Sequence, residues 1–391
     1  MAQKIVLTGG GTAGHVTPNI ALIPELLKSG YEIVYIGSKD GIEKKLITDL
    51  GITYYGVSTG KLRRYFDPQN FKDPFKIIKG YAEARKYLKK EKPNIVFSKG
   101  GFVSVPIVRA AHSLKIPCVI HESDITPGLA NKLCIPCAEA ICCNFPETLT
   151  YVPENKAVLT GTPIRAELSE GSAKRGKELC GFIETKPVIL VIGGSQGAGS
   201  INKIIRSTLP KLLKDFQIVH ICGKEKIDNL LLNTPGYKQF EYLTEDLKDI
   251  FALADIVISR AGANSICELL TLRKPNLLIP LPSTSSRGDQ LLNAASFEAQ
   301  GFSLVLHEED LDEKSLLNTV AQLYCNRQSF IEAMNKSNQM QPILSIMNQI
   351  KKYTKTSDDE VESNDEEAVE EATLSLEELA ALNDIEDSEE E

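Results

Sequence analysis

Glycine-rich turns that follow short apolar runs are the first places where this chain could do chemistry. Gly9-Gly-Gly11-Thr12-Ala13-Gly14-His15 follows the apolar run 4–8, and Gly193-Gly-Ser195-Gln196-Gly197-Ala198 follows the run 187–192. Small residues at such a turn let backbone N–H groups approach a phosphate, and the next helix points its positive end at it. One such contact contributes about 0.3–1 kcal/mol, up to ~2 when partly buried. Ser98-Lys99-Gly100-Gly101 and Ser259-Arg260-Ala-Gly262 have the same character. His121-Glu122-Ser123-Asp124 also ends an apolar run and leads on to Gly128 and Asn131. Several polar turns of this kind in one half of a chain imply a sizeable polar ligand with an anionic group. His15 sits at the mouth of the first turn, where a general base or a substrate contact competes with a plain structural role. Glu268 could accept two hydrogen bonds from a ribose diol, or lie idle on a helix surface. Gln290 and Asn293, after Gly288-Asp289, offer amides for sugar hydroxyls, or mark an ordinary helix start.

These residues need a scaffold, and the patterning supplies one. Short apolar runs at 4–8, 32–36, 94–97, 118–120 and 157–159 alternate with helical stretches. The pattern restarts at 187–192 and continues through 217–221, 255–258 and 276–279. Continuous apolar strands with helical crossovers predict parallel sheets covered on both faces. Two blocks, each opening strand, glycine turn, helix, predict an α/β chain of two Rossmann-like domains. The expected boundaries are 1–165, 166–335, a closing helix at 336–353 and a tail at 354–391.

Read literally, Gly9-x-Gly11-x-x-Gly14 is a dinucleotide fingerprint. A nicotinamide enzyme would hold the ribose with an acid at the end of the second strand. That strand runs into Gly37-Ser38-Lys39, with no acid at its end unless Asp40 serves. The dehydrogenase reading is therefore set aside.

Charge is uneven along the 391 residues. Positions 354–391 hold 17 Asp or Glu and one Lys, so the remainder carries a net charge of +8 against −8 for the whole chain. A basic body predicts an anionic partner. The tail reads as a solvated acidic extension, within which 373–382 could form one amphipathic helix. The stretch 57–92 carries 11 Lys or Arg against four Asp or Glu, interleaved with apolar residues. Leu62, Arg63, Arg64, Tyr65, Phe66 and Phe75 suit an anionic membrane surface. No nucleic-acid motif accompanies them. Nine cysteines, without a secretory leader or a long apolar run, suggest a reducing cytoplasm. Cys134 and Cys137, with Cys142 and Cys143, lack a second pair at zinc-site spacing and read better as buried thiols.

In this order, the glycine turn at 9–15, Ser98-Lys-Gly-Gly101, His121-Glu122, Pro127-Gly128, Gly161-Thr-Pro-Ile-Arg165, the turn at 193–198, Arg260-x-Gly262 and Gln290-x-x-Asn293-Ala294 resemble the MurG family of glycosyltransferases. Members of that family add N-acetylglucosamine to undecaprenyl-pyrophosphoryl-muramoyl-pentapeptide. The resemblance covers about residues 3–353. It implies the GT-B fold, two sheets facing across a cleft, and an inverting transfer from UDP-N-acetylglucosamine without metal or cofactor. It places Ser195, Gln196 and Gly197 by the UDP phosphates, Glu268 on the ribose, Leu243 and Thr244 beside the uracil, and Gln290 and Asn293 on the sugar. Arg165, Gly262, Thr12 and Gly14 join the donor set. The lipid acceptor falls to Gly11, Thr12, Ala13, His15, Lys99, Gly100, Gly101, His121, Glu122, Asp124 and Asn131. His15 is the first candidate for the catalytic base and Asp124 the second. Many members carry His-Glu-Gln-Asn where this chain has His121-Glu-Ser-Asp124, and only an Asp there could act as a base. The family implies a peripheral enzyme on the inner face of the plasma membrane, working beside other cell-wall synthesis proteins. A related transferase for another lipid, a sugar-nucleotide-binding regulator and a UDP-sugar epimerase are the competing readings.

Overall fold

The computed structural model describes residues 3–60, 73–183, 185–193, 198–283, 288–337 and 341–355. The chain divides into two compact units, one of residues 1–163 with everything from 341 onward, the other of residues 164–340.

In the first unit, β1 (Lys4–Thr8), β2 (Glu32–Ser38), β3 (Thr53–Val57), β4 (Ile95–Ser98), β5 (Cys118–Glu122), β6 (Ala140–Cys143) and β7 (Ala157–Leu159) form one sheet. Its order is β3-β2-β1-β4-β5-β6-β7, and every pair is parallel. The crossovers are α1 (Ala13–Lys28), α2 (Ile42–Thr48), α3 (Asp73–Glu91), α4 (Ser104–Ser113) and α5 (Leu129–Cys134). Alternate strand residues feed two cores, because successive side chains leave a strand on opposite faces. Val6, Val34, Val96 and Ile120 meet Ala84 and Leu88 of α3 and the apolar side of α4. Ile5, Leu7, Ile33, Tyr35 and Phe97 meet Val16, Leu22 and Leu26 of α1.

The second unit repeats the plan. It contains β8 (Val188–Ile192), β9 (Gln217–Ile221), β10 (Tyr237–Phe240), β11 (Ile256–Ser259), β12 (Asn276–Leu278) and β13 (Ser303–Val305). They lie in the order β10-β9-β8-β11-β12-β13, again all parallel. Its helices are α6 (Ala173–Cys180), α7 (Gly199–Leu212), α8 (Leu247–Leu253), α9 (Ala263–Thr271), α10 (Asp289–Ala299), α11 (Glu313–Cys325) and α12 (Arg327–Asn335). The chain then returns to the first unit as α13 (Pro342–Tyr353), whose Ile346, Met347 and Ile350 complete the core under α1.

In both sheets the order reverses beside the first strand, and that is where open α/β sheets bind ligands. The register brings the two turns of each crevice level. Thr8 pairs with Ser98 in one sheet, and Ile192 with Ser259 in the other. Among the described residues no helix is long and apolar enough to cross a membrane. Cys134, Cys137, Cys142 and Cys143 are all buried, and burial pushes the Cys142 and Cys143 thiols up to about 12.

Candidate active site

After Thr8 the chain turns through Gly9, Gly10 and Gly11 into α1, with Gly11 at a φ of 84° that favours glycine. Three buried side chains hold the turn. Asn19 Nδ2 donates to the Thr8 carbonyl at 2.9 Å and to Tyr35 Oη at 3.1 Å, and Tyr35 Oη donates to the Gly9 carbonyl at 2.6 Å. Glu43, fully buried on α2, accepts from Gly11 N at 3.3 Å, Ser38 N at 3.0 Å and Ser38 Oγ at 2.5 Å. An acid thus does stand beside the end of β2, but it is Glu43, not Asp40, and the protein's own turn consumes it. A side chain at Gly10 or Gly41 would collide with that carboxylate. Sequence reading missed Glu43, Asn19 and Tyr35. The available signal was an acid in the first turn of the helix after β2.

His15 lies half-buried in the first turn of α1, its Nδ1 3.0 Å from Thr12 Oγ1. Burial, and then the nearby Lys99 charge, push it down to about 4, with Glu43 pulling the other way. The imidazole is therefore neutral near pH 7. When Nδ1–H donates to Thr12, the Nε2 lone pair is left to take a proton. The turn after β4 abuts this one, since a Cβ on Gly101 would lie 2.6 Å from the Gly10 carbonyl and 3.4 Å from His15 Nδ1.

Behind these turns sits a buried polar frame. Lys99 is 1% exposed, and its Nζ donates to His121 Nδ1 at 2.7 Å and to Ser123 Oγ. His121 Nε2 donates to the Gly161 carbonyl at 2.9 Å, so its proton resides on Nε2, and burial drives its pKa far down. Glu122 accepts from Asp124 N at 2.9 Å, Gly128 N at 3.1 Å and Asn131 Nδ2 at 2.8 Å. Burial raises the Glu122 carboxyl while those bonds oppose the rise. Asn131 also donates to the His121 carbonyl at 3.1 Å, and its buried Oδ1 has no partner among the described residues. Asp124 is half-buried, with its carbonyl accepting from Thr148 Oγ1 at 3.1 Å. Among the predicted acceptor residues, Gly11, Thr12, His15, Gly101 and Asp124 retain exposed surface, as does Gly14 of the donor set, whereas Lys99, Gly100, His121, Glu122 and Asn131 are buried behind them. Ala13 opens α1.

In the second unit, Ser195, Gln196, Gly197 and the stretch 284–287 lie outside the described residues. Among the described residues, Arg260 ties several elements together. Its Nη1 donates to the Ile279 and Pro280 carbonyls at 3.0 and 3.2 Å, its Nη2 donates to Ser200 Oγ at 2.9 Å, and Glu308 pairs with it. Gln290 Oε1 accepts from Leu281 N at 3.1 Å, and Asn293 Nδ2 donates to the Ala261 carbonyl at 3.1 Å. The buried Asn293 Oδ1 has no partner among the described residues. Leu243 and Thr244 occupy the turn between β10 and α8, and Gly262 caps α9. Glu268, on α9, keeps some exposure, yet burial pushes its carboxyl up to about 7 against the pull of Arg165. Arg165 and Glu268 are thus brought together although more than a hundred positions apart.

The helix N-termini at the two crevices share one character. Helices α1, α4, α7 and α9 start beyond strand ends with no side-chain cap and no acid in the first turn. Their positive ends favour an anion. Helices α6 and α11 are capped by their own residues instead. Ser172 Oγ accepts from Arg175 N at 3.4 Å, and Asp312 and Ser315 form a reciprocal capping box.

Residues 5–143 match the Glycosyltransferase family 28 N-terminal domain, and residues 188–350 match the Glycosyltransferase family 28 C-terminal domain. A Lachnospira eligens protein named UDP-N-acetylglucosamine--N-acetylmuramyl-(pentapeptide) pyrophosphoryl-undecaprenol N-acetylglucosamine transferase is 61% identical over 353 residues, covering 90% of this chain and 100% of the relative. A Clostridium botulinum protein of the same name is 59% identical over the same shares. The crystal structure of Acinetobacter baumannii MurG aligns with a TM-score of 0.69 and 26% identity, covering 90% of this chain and 99% of that one. A UDP-GlcNAc 2-epimerase from Neisseria meningitidis, bound to UDP-GlcNAc, aligns with a TM-score of 0.65 at 15% identity over 90% and 100% of the two chains, a likeness of fold alone. With both domain types matched in order and relatives matched along their whole length, this chain belongs to glycosyltransferase family 28.

Proposed function

We propose that this chain transfers N-acetylglucosamine from UDP-N-acetylglucosamine to N-acetylmuramyl-(pentapeptide) pyrophosphoryl-undecaprenol, with inversion, making the disaccharide lipid used for peptidoglycan. The 61% identity to a relative of that name, over its full length, carries the reading.

The reaction needs a base for the acceptor hydroxyl, a stabiliser for the departing UDP, and alignment of both. The second unit takes the donor. Glu268 accepts the ribose hydroxyls, the N-termini of α7 and α9 face the diphosphate, Leu243 and Thr244 border the uracil, and Gln290 and Asn293 read the sugar. Helix dipoles and backbone N–H groups stabilise the charge that grows on the leaving diphosphate. The first unit takes the acceptor. Its pyrophosphate lies at the N-termini of α1 and α4, by Gly11, Thr12 and Gly101. His15 Nε2 removes the hydroxyl proton, because its neutral state near pH 7 leaves a lone pair for the task. Lys99, His121, Glu122 and Asn131 act from behind, holding the loop that carries Asp124.

The acceptor's lipid places the enzyme at a bilayer, on the inner face of the plasma membrane. The basic and apolar stretch 57–92 provides the contact, each cation near an anionic surface contributing about 1 kcal/mol. Leu62, Arg63, Arg64, Tyr65 and Phe66 lie outside the described residues, and Phe75 is in the first turn of α3. Charge reversal at Arg63 and Arg64 is expected to weaken sedimentation with anionic vesicles, and unchanged sedimentation removes this contact from the reading.

The activity test supplies radiolabelled UDP-N-acetylglucosamine and a short-chain muramoyl-pentapeptide lipid, with EDTA present. Labelled disaccharide lipid and free UDP are expected. UDP release without that product points to another acceptor, and UDP binding without turnover points to a sugar-nucleotide-binding protein.

A further inference from the structure

Two charged regions of this chain are left unused by the transfer reaction, and the last described residue before one of them lies beside the foot of the other. The first is the outer face of α3. Lys76, Lys79, Lys86, Lys89 and Lys90 are all exposed. At about 100° per residue they fall within one arc of roughly 140°. Ala84 and Leu88 are buried in the core on the opposite side. The helix's described acids face other partners. Glu83 accepts from Lys39 Nζ at 2.7 Å and Ser58 N at 2.6 Å, and Glu91 accepts from Lys4 Nζ at 2.8 Å and Tyr55 Oη at 2.6 Å. Lys90, on the lysine face, lies 3.8 Å from Glu91 and donates to Tyr55 Oη at 2.8 Å. Lys92, just past the helix, is exposed as well.

The second is the segment 356–391, which holds 17 Asp or Glu and no Lys or Arg. The match to the Lachnospira eligens relative takes in all of that protein but only 90% of this chain, and the C-terminal domain match stops at residue 350. The acidic segment is therefore an addition to a fold that the relative completes without it.

The chain into this segment leaves from beside the foot of α3. Lys355 N donates to the Asn94 carbonyl at 3.2 Å, and Asn94 Nδ2 donates to the Lys355 carbonyl at 2.9 Å. Asn94 lies three residues beyond Glu91, the last residue of α3. Exposed Lys351 and Lys352, in the last turn of α13, precede the exit. Helix α3 rises only about 28 Å along its length, whereas 36 extended residues can span up to about 120 Å. A short tether at the foot of the helix gives the acidic segment an effective concentration on the order of millimolar at those lysines.

We infer that segment 356–391 lies back along the lysine face of α3 and competes there with anionic lipid. The segment lowers attraction to the bilayer until a strongly anionic surface, or a partner that captures the segment, displaces it. The membrane half of this inference rests on the proposed reading of the 57–92 stretch; the contact within the chain does not.

The test compares the full chain with one ending at Lys355 and has two arms. In the first, carbodiimide links carboxylates to lysines in direct contact, on dilute full-length protein at low salt. Crosslinks from 356–391 to Lys79, Lys86, Lys89 or Lys92 within one chain are expected, and they should fade as salt screens the attraction. Crosslinks only to lysines of the second unit, only between two copies, or none at all overturn the inference. In the second arm, both proteins are sedimented with vesicles of equal parts phosphatidylcholine and phosphatidylglycerol. The shortened chain is expected to bind on the order of tenfold more tightly at low salt, with the gap closing at high salt. Equal binding overturns the competition. Lys79→Glu with Lys86→Glu in the shortened chain separates the two readings. If it leaves vesicle binding unchanged while the crosslinks stand, the membrane reading of α3 fails and the contact within the chain survives.

Discussion

His15 in the first unit and Glu268 in the second meet the same force and are driven opposite ways. Each is withdrawn from water on a helix that follows a central strand, His15 in the first turn of α1 and Glu268 in the second half of α9. Desolvation disfavours whichever form is charged. It pushes His15 down to about 4, leaving a neutral imidazole ready to take a proton. It pushes Glu268 up to about 7, so the unliganded carboxyl is only partly ionised at neutral pH. One burial thus leaves the neutral imidazole that the proposed base requires, and the other a carboxyl that the proposed ribose contact would ionise. Each neighbour has a consistent sign: Lys99 reinforces the fall at His15, and Arg165 opposes the rise at Glu268.

The comparison breaks first at His15. His15→Ala is expected to lower kcat by about 10²–10⁴-fold, the usual contribution of a positioned base, with a smaller change in the KM for UDP-N-acetylglucosamine. Near-full turnover at saturating substrates would sink the assignment and turn attention to Asp124. Glu268→Gln should do the reverse, raising the donor KM about 10- to 100-fold, the worth of charge-assisted hydrogen bonds, while kcat changes less. An effect confined to kcat would contradict the ribose role.

The pH dependence sharpens the contrast. A diol binds the ionised carboxylate, so donor affinity should fall as pH drops through about 7, approaching tenfold per unit below it. Calorimetry in buffers of differing ionisation heat should register proton release on binding near pH 6–7, and Glu268→Gln should abolish it. The stability signs also oppose one another. Glu268 has a folded value above its ordinary 4.5, so its contribution to stability is lost as pH rises from there through about 7. His15 has a folded value below its ordinary 6.5, so its contribution is lost as pH falls from there through about 4. Thermal melts of the two variants against pH test both slopes.

The smallest effect belongs to a helix that faces no ligand. Ser172→Ala at the start of α6 should cost about 0.5–1 kcal/mol of stability and leave both kinetic constants in place. A kinetic change there would tie α6 to the site.

Much of this was legible in the residues. The apolar runs and glycine turns placed the strands and the helices that follow them, because a buried parallel strand must be apolar on both faces and a phosphate-facing turn must be small. The polar strand ends were legible as candidates for the same reason. Their division of labour was not. His121, Glu122 and Asn131 look as available in the sequence as His15 and Asp124, yet their donors and acceptors are turned inward on one another. Glu43 and Asn19 show the converse: they carry no motif, and they hold the first glycine turn.

By itself, then, the sequence determined two parallel α/β sheets, the turns that open their crevices, the family, and the separation of a basic body from an acidic end. These are properties of local pattern and of composition, which a chain carries before it folds. Only the tertiary structure decided which polar residues are building material and which remain open, that Lys99 stands near His15 and Arg165 near Glu268, and that Lys355 leaves the fold beside α3. Those are facts of burial and of contact between distant positions, and both exist only once the strands have taken their order in the sheet.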